Sequence, residues 1–392
     1  MPIRTYFDHN ATTPLLPKIS EELIKIMQDA FGNASSIHWA GRKPKQILRE
    51  TRQKLAQFLG CHPTEILFTS GASESNNTVI RSLLELRSYY PGLSGRRTII
   101  SSNVEHPSIQ STLSYYENQG LIDWVTFDIS KSGRIDLQKF EQLLSSDVLL
   151  VSIMGANNET GILFPIEQMA KLAKEKGILF HSDMTQVFGK LPIPLENIDY
   201  ISFSAHKAYA LKGCGVLWVK KGSPFVPLIK GGSQERYRRA GTENILAIAS
   251  LGLALDQLIN LKPELSHSLK SLQAYFESKV TEKISGVAIT HQDVPRLPNT
   301  THLVIDGIDG ESLLMSLDLK GYAVSTGAAC SSGSSEPSPI LINLGFTPEQ
   351  AQMSLRVSFG IRNTFSEVDR FLEDLSSVVS HLRSVRESPC EF

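Results

Sequence analysis

The stretch Ile201-Ser202-Phe203-Ser204-Ala205-His206-Lys207 decides the reading of this chain. An apolar run ends abruptly in a hydroxyl, an imidazole and an amine, the pattern of a buried strand whose last residues emerge at a sheet edge. A lysine at such an edge can be desolvated enough to act as an amine nucleophile. Upstream, the run Gly177 to Ser182 ends on Asp183, followed by Gln186, which places a carboxylate at the same kind of edge. A lysine that forms a Schiff base and an aspartate that keeps a pyridine nitrogen protonated together meet the needs of pyridoxal 5'-phosphate (PLP). Taken singly, the aspartate reads rather as a helix N-cap and the lysine as a solvated surface residue; the pair carries the reading.

Working outward, similar short apolar runs occupy Glu65 to Ser70, Arg97 to Ser102, Asp123 to Asp128, Val148 to Ile153 and Gly215 to Val219, separated by turns and helical segments. Strands alternating with helices predict an α/β fold whose large domain holds a mostly parallel seven-stranded sheet covered by helices. Ligands of such sheets bind beyond the carboxyl ends of the strands. After Glu65 to Ser70 comes Gly71-Ala72-Ser73, opening a helix near Glu74, where free N–H groups and the helix dipole favour a phosphate. Ser204, His206 and Thr242 are further phosphate candidates. His106 follows another strand and suits stacking on the ring or proton transfer, and Asn158 follows a third and suits the ring's phenolic oxygen.

Helical periodicity covers the segment after Pro17 (Ile19, Leu23, Ile26, Met27, Ala30) and the segment from Pro44 to Leu59. A break at Lys262-Pro263 sets a domain change near 260. The expected division is a large PLP-binding domain over 15–260 and a smaller α+β domain over 1–14 and 261–392. The smaller domain is expected to hold strands at His302 to Asp306 and Arg356 to Phe359, a terminal helix carrying Val368, Phe371, Leu375 and Val379, and an irregular, mobile loop over 325–339. Arg356 is the candidate for a bidentate grip on a carboxylate.

The 392 residues carry 39 Lys and Arg against 40 Asp and Glu, a net charge of −1, so no global positive field is available for nucleic acid or an anionic membrane. A small-molecule substrate is the expected partner. The four cysteines, at 61, 214, 330 and 390, show neither a C-x-x-C pair nor metal-ligand spacing, which predicts a reducing, cytoplasmic location and no metal. No membrane span or targeting segment is read from the sequence. Cys61 and Cys214 read as structural. Cys330, in Ser/Gly-rich surroundings that offer no apolar burial, reads as an exposed, reactive thiol.

As a set, these residues resemble the fold-type I PLP enzymes, and within them the NifS/IscS group of cysteine desulfurases. The likeness runs through YFDHNATTP at 6–14, FGNASSIH at 31–38, FTSGASESNN at 68–77, NNETG at 157–161, HSDMTQVFGKLPI at 181–193, SFSAHK at 202–207, RRAGTEN at 238–244 and GAACSSGSSEPS at 327–338. The resemblance implies Lys207 as the amine bonded to the cofactor, Asp183 on the pyridine nitrogen, His106 stacked on the ring, and Asn158 and Gln186 on the phenolic oxygen. Ala72, Ser73, Ser204 and His206 would hold the phosphate, with Thr242 reaching it from the second subunit of a homodimer. Arg356 and Asn33 would hold the carboxylate of L-cysteine, and Cys330 would accept its sulfur as a persulfide, leaving L-alanine. An iron-sulfur scaffold or another sulfur-acceptor protein is the implied partner. Ala210-Leu211 departs from the Gly-Pro turn common after the lysine, and Ser73 stands where Thr is frequent. A selenocysteine lyase or another fold-type I PLP enzyme, and a non-enzymatic sulfur-trafficking scaffold, are the alternative readings.

Overall fold

The computed structural model describes residues 4–326 and 336–387. All seven apolar runs form strands of one sheet: β2 (Ile66–Thr69), β3 (Thr98–Ser102), β4 (Asp123–Phe127), β5 (Val148–Ser152), β6 (Leu179–Asp183), β7 (Tyr200–Ser204) and β8 (Gly215–Val219). Their order is β2-β8-β7-β6-β5-β3-β4. Neighbours from β7 to β4 are parallel, whereas β8 runs antiparallel to both β7 and β2. The carboxyl ends of β2, β3, β5, β6 and β7 therefore share one edge of the sheet, and the amino end of β8 joins them there.

Period-two alternation splits the strand side chains between two apolar layers. Ile66, Phe68, Val216 and Trp218 join the larger core, while Leu67, Leu217 and Val219 join a second core with Val79, Ile80 and Leu83. The latter three lie on α3 (Ala72–Leu86), which starts straight after β2. Both sheet faces are thus covered, as near-continuous apolar strands require.

Helix α1 (Pro17–Asp29) matches its periodicity, whereas α2 (Trp39–Leu59) begins a full turn before Pro44. Proline favours a helix start but does not compel one; the ring of Pro44 is buried on the helix's inner face. The remaining crossover helices are α4 (Pro107–Asn118), α5 (Leu137–Leu143) and α6 (Ile166–Glu175). The chain stays helical from Ile245 to Lys283, and the stretches Ile245–Leu261 and Glu264–Lys283 meet at 78°.

A second, antiparallel sheet of three strands has the order β12-β10-β9, with β9 at Val287–Ile289, β10 at Thr300–Ile305 and β12 at Ser354–Ser358. The N-terminal strand β1 (Thr5–Tyr6) pairs with β11 (Tyr322–Ala323), and Asp8 bridges to Ser358, so the first residues are built into this second unit. The terminal helix Phe365–Glu387 buries Val368, Phe371, Leu375 and Val379 against it. Among the described residues no single helix is long and apolar enough to cross a membrane.

Candidate active site

Where the strand ends converge, Ala72, Ser73, His106, Asn158, Asp183, Gln186, Ser204, His206 and Lys207 line one cleft with about 530 Å³ of empty space. Nine of the residues anticipated from sequence thus meet at one place, joined by Ser108, Met154, Ala156 and Thr185.

Lys207 closes a 3-10 turn, Ala205–Lys207, that leaves β7 directly. Asp183 is the last residue of β6; its Oδ1 accepts the Thr185 N–H at 2.9 Å and its Oδ2 accepts from Asn76 Nδ2 at 2.8 Å. His106 is the N-cap of α4, where its Nδ1 accepts the Ser108 N–H at 3.1 Å. Burial lowers its pKa, against the pull of Asp183 and with Lys207 adding to the lowering, and the N–H donated to Nδ1 leaves the ring proton on Nε2.

At the start of α3 the Ala72 N–H donates to Ser204 Oγ at 2.8 Å, which leaves the Ser204 proton for a ligand. His206 is pushed down to about 4 by burial and by Lys207 and Lys212. Its ring meets Thr12 Oγ1 at 3.0 Å and its carbonyl accepts from Thr13 Oγ1 at 2.8 Å. The Asn158 side chain makes no hydrogen bond among the described residues and lines the cleft, while the Gln186 amide is held, Nε2 donating to the Asn10 carbonyl at 3.0 Å and Oε1 accepting from Lys190 Nζ at 3.3 Å.

Three anticipated residues do not line this cleft, and a fourth falls outside the described residues. Arg356, on β12, is 1% exposed and already engaged, Nη2 with Asp8 Oδ1 at 2.7 Å and Nη1 with the Asn158 carbonyl at 2.9 Å; its buried Nε has no partner among the described residues. Thr242 is exposed and lies in a separate surface depression with Arg239 and Glu243. Asn33 is exposed, its Oδ1 accepting the Ser35 N–H at 2.8 Å. Cys330, with the core of its expected loop, lies outside the described residues. The flanks of that stretch are nevertheless tied beside the cleft: Ser325 exchanges backbone hydrogen bonds with Arg356, and Ser338 Oγ donates to Glu159 Oε2 at 2.7 Å. Burial pushes the thiols of Cys61 and Cys214 up to about 12, which makes both inert as nucleophiles.

The donor set suits PLP. A buried carboxylate stands ready for a protonated ring nitrogen, helix α3 offers its positive end and two serine hydroxyls to a phosphate, an amide opens toward the cleft, and one lysine is present to bond a carbonyl carbon.

Residues 5–371 match the family model described as aminotransferase class-V. The cysteine desulfurase NifS of Azotobacter vinelandii is 38% identical over 383 residues, 97% of this chain and 94% of that protein. The cysteine desulfurase IscS of Dictyoglomus turgidum is 37% identical over 382 residues, covering 97% of this chain and 95% of its own length. A solved structure of a NifS-like protein superposes with a TM-score of 0.89 at 34% identity, covering 97% of this chain and all of that one. The chain belongs to the class-V aminotransferase family of PLP-dependent enzymes, in its NifS/IscS cysteine desulfurase group.

Proposed function

We propose that this protein is a PLP-dependent cysteine desulfurase that converts L-cysteine to L-alanine and takes the sulfur onto Cys330 as a persulfide. The observation that carries this reading is the meeting of Lys207 and Asp183 with the N-terminus of α3 in one cleft, in a chain similar over nearly its whole length to cysteine desulfurases. When bound, PLP supplies an electron sink for bonds broken at the substrate's α-carbon. Asp183 would hold a proton at the pyridine nitrogen, His106 would face the ring, and Asn158 and Gln186 would serve the phenolic oxygen. Ala72, Ser73, Ser204 and His206 hold the phosphate. The Lys207 amine would hold the cofactor's carbonyl carbon and would serve as the base for the α-proton of L-cysteine. Arg356 and Asn33 orient the substrate carboxylate. The Cys330 thiolate attacks the substrate sulfur, an S–S bond forming as the C–S bond breaks.

The active unit is a homodimer in which Thr242 of each copy serves the phosphate of the other. In support, two expected residues that do not line the cleft have exposed apolar neighbours in sequence: Phe31 (69%), Ile37 (97%) and Trp39 (72%) beside Asn33, and Tyr237 (74%) before Thr242. The division into 15–260 and 1–14 with 261–392, a cytoplasmic location, and an iron-sulfur scaffold or other protein as sulfur acceptor complete the reading.

Alanine formed from L-cysteine, with and without a reducing thiol, tests it in wild type and Cys330→Ala. Multiple turnovers with thiol and a single stoichiometric burst without it, both lost in the variant, are expected. Alanine formation indifferent to Cys330 would return the chain to another PLP reaction, and a normal cofactor absorption band in Lys207→Ala would refute the lysine's role.

A further inference from the structure

Beneath α3, buried polar side chains form one directed chain of hydrogen bonds ending on Asp183. Ser152 Oγ meets His181 Nδ1 at 2.8 Å, His181 Nε2 meets Ser202 Oγ at 2.8 Å, Ser202 Oγ donates to Asn76 Oδ1, and Asn76 Nδ2 donates to Asp183 Oδ2 at 2.8 Å. Asn76, His181 and Ser202 are fully buried. Asn76 Nδ2 also donates to Ser108 Oγ at 2.9 Å, and Ser108 Oγ lies 2.9 Å from His106 Nδ1.

Chemistry fixes every direction in this chain. A carboxylate only accepts, so Asn76 must turn its NH₂ toward Asp183 and its carbonyl toward Ser202. Ser202 then spends its proton on Asn76 and accepts from His181, which must carry hydrogen on Nε2. The remaining nitrogen, Nδ1, accepts from Ser152. Burial pushes His181 down to about 4, consistent with a single ring proton. On the other arm, the second Asn76 N–H goes to Ser108 Oγ, whose own proton goes to His106 Nδ1, leaving His106 protonated on Nε2. All three hydrogen-bonding atoms' worth of the Asn76 amide, two N–H and one C=O, are committed.

We propose that Asn76 is a positioning residue that holds Asp183 as an anionic acceptor and His106 as its Nε2–H tautomer, and so keeps a pyridine nitrogen at Asp183 protonated. The inference rests on the assignment of Asp183 to the pyridine nitrogen of PLP. Asn76 and the Thr185 N–H donate one hydrogen bond to each Asp183 oxygen and so fix the orientation of the carboxylate. The titratable groups facing Asp183 are Glu105, His106 and His181, and Lys207 acts on His106 across the cleft. Neither Asn76 nor Ser202 lines the cleft, so both act through Asp183 and Ser108.

The test uses the full-length protein loaded with PLP enriched in ¹⁵N at the pyridine nitrogen. In Asn76→Asp, which keeps the shape but replaces the donor by a carboxylate oxygen, the nitrogen resonance is expected to move toward the unprotonated form and apoprotein to bind PLP at least tenfold more weakly. Ser202→Ala, which removes the next link and leaves Asn76 in place, is expected to move the resonance the same way by less. Circular dichroism and thermal melting establish that each variant folds; should Asn76→Asp not fold, Ser202→Ala decides alone. Wild-type resonances in the folded variants, with a lost proton in Asp183→Asn, would overturn the role of Asn76 alone. An unchanged resonance in Asp183→Asn as well would overturn the cofactor assignment beneath it.

Discussion

Arg356 Nη2 and Asp8 Oδ1 stand 2.7 Å apart although 348 residues separate them in sequence, with 2% and 17% of their side chains exposed. The guanidinium read from sequence as free to grip a substrate thus has a resident carboxylate. Asp8 neutralises a charge whose burial alone would cost several kcal/mol, and Nε and the faces not used by Asp8 and Asn158 are what remain for a second carboxylate.

Replacing Arg356 by Lys keeps the charge but loses the planar fork. KM for L-cysteine should rise at least tenfold while the absorption of bound cofactor stays as in wild type. Asp8→Asn, which leaves the buried guanidinium without a counter-charge, should lower stability by about 3 kcal/mol in denaturant titration. An unchanged KM in Arg356→Lys would remove this arginine from substrate binding.

Lys190 is half-buried as a residue, but its ammonium end is enclosed, donating to the Gln186 carbonyl at 3.0 Å and side-chain Oε1 at 3.3 Å. Burial, with Lys207 and Arg356 nearby, pushes its pKa down to about 7 from an ordinary 10.5. Between these values the unfolded chain binds more protons than the folded one, so stability rises with pH across that window. Wild type should therefore gain stability relative to Lys190→Met between pH 7 and 10, measured by thermal melting. A constant difference across that range would show that the amine is not held in a charge-disfavouring site.

The strand ends were legible because each chemistry-bearing residue follows an apolar run directly, so topology alone gathers Lys207, Asp183, His106 and Asn158 at one edge. The supporting network was harder to see. His181, Ser152 and Ser202 lie inside strands that read as simply buried, and their signal is polar residues two apart, His181 with Asp183 and Ser202 with Ser204, on strands that should be apolar on both faces. Asn76 sits on the inner face of α3, where sequence offers no sign of what lies opposite. The Asp8–Arg356 pair was illegible for a different reason: it depends on β1 and the following residues returning to β11 and β12, a long-range pairing that no local pattern announces. Asn33 entered through family resemblance alone, and within one chain nothing draws it or Thr242 to the cleft.

Glu105, next to His106, is fully enclosed. Its Oε1 accepts from Ser102 Oγ at 2.6 Å and from the Met154 N–H at 2.9 Å, while Oε2 has no partner among the described residues. Burial raises its pKa to about 8, the hydrogen bonds opposing it and Asp183 reinforcing it. The folded state thus holds a proton that the unfolded state releases above its ordinary 4.5, and the associated stability is present at low pH and lost as pH rises through 8. Glu105→Gln cannot lose that proton. Its melting temperature should gain on that of wild type as pH increases from 5 to 9, and parallel curves would contradict a protonated Glu105.

Gly215 opens β8 opposite both Thr69 and Ser204, so β8 begins against the turn that feeds α3. A Cβ there would lie 2.4 Å from Gly71 Cα and 2.7 Å from Gly71 N, contacts that backbone atoms cannot yield without moving the turn. Gly71 is the residue before Ala72, whose N–H orients Ser204 Oγ, and Ser73 follows at the α3 N-terminus proposed to hold the phosphate. Gly215→Ala should therefore act twice: overpacking costs about 1–3 kcal/mol of stability, and displacement of the α3 N-terminus weakens PLP binding to apoprotein at least tenfold. Gly92→Ala separates these effects from a general intolerance of added methyl groups, because a Cβ at Gly92 meets nothing within 4 Å and should change neither quantity. Lowered stability in Gly215→Ala with wild-type PLP affinity would mean that the turn recovers its position once the cofactor binds, and that the α3 N-terminus is not set by this contact.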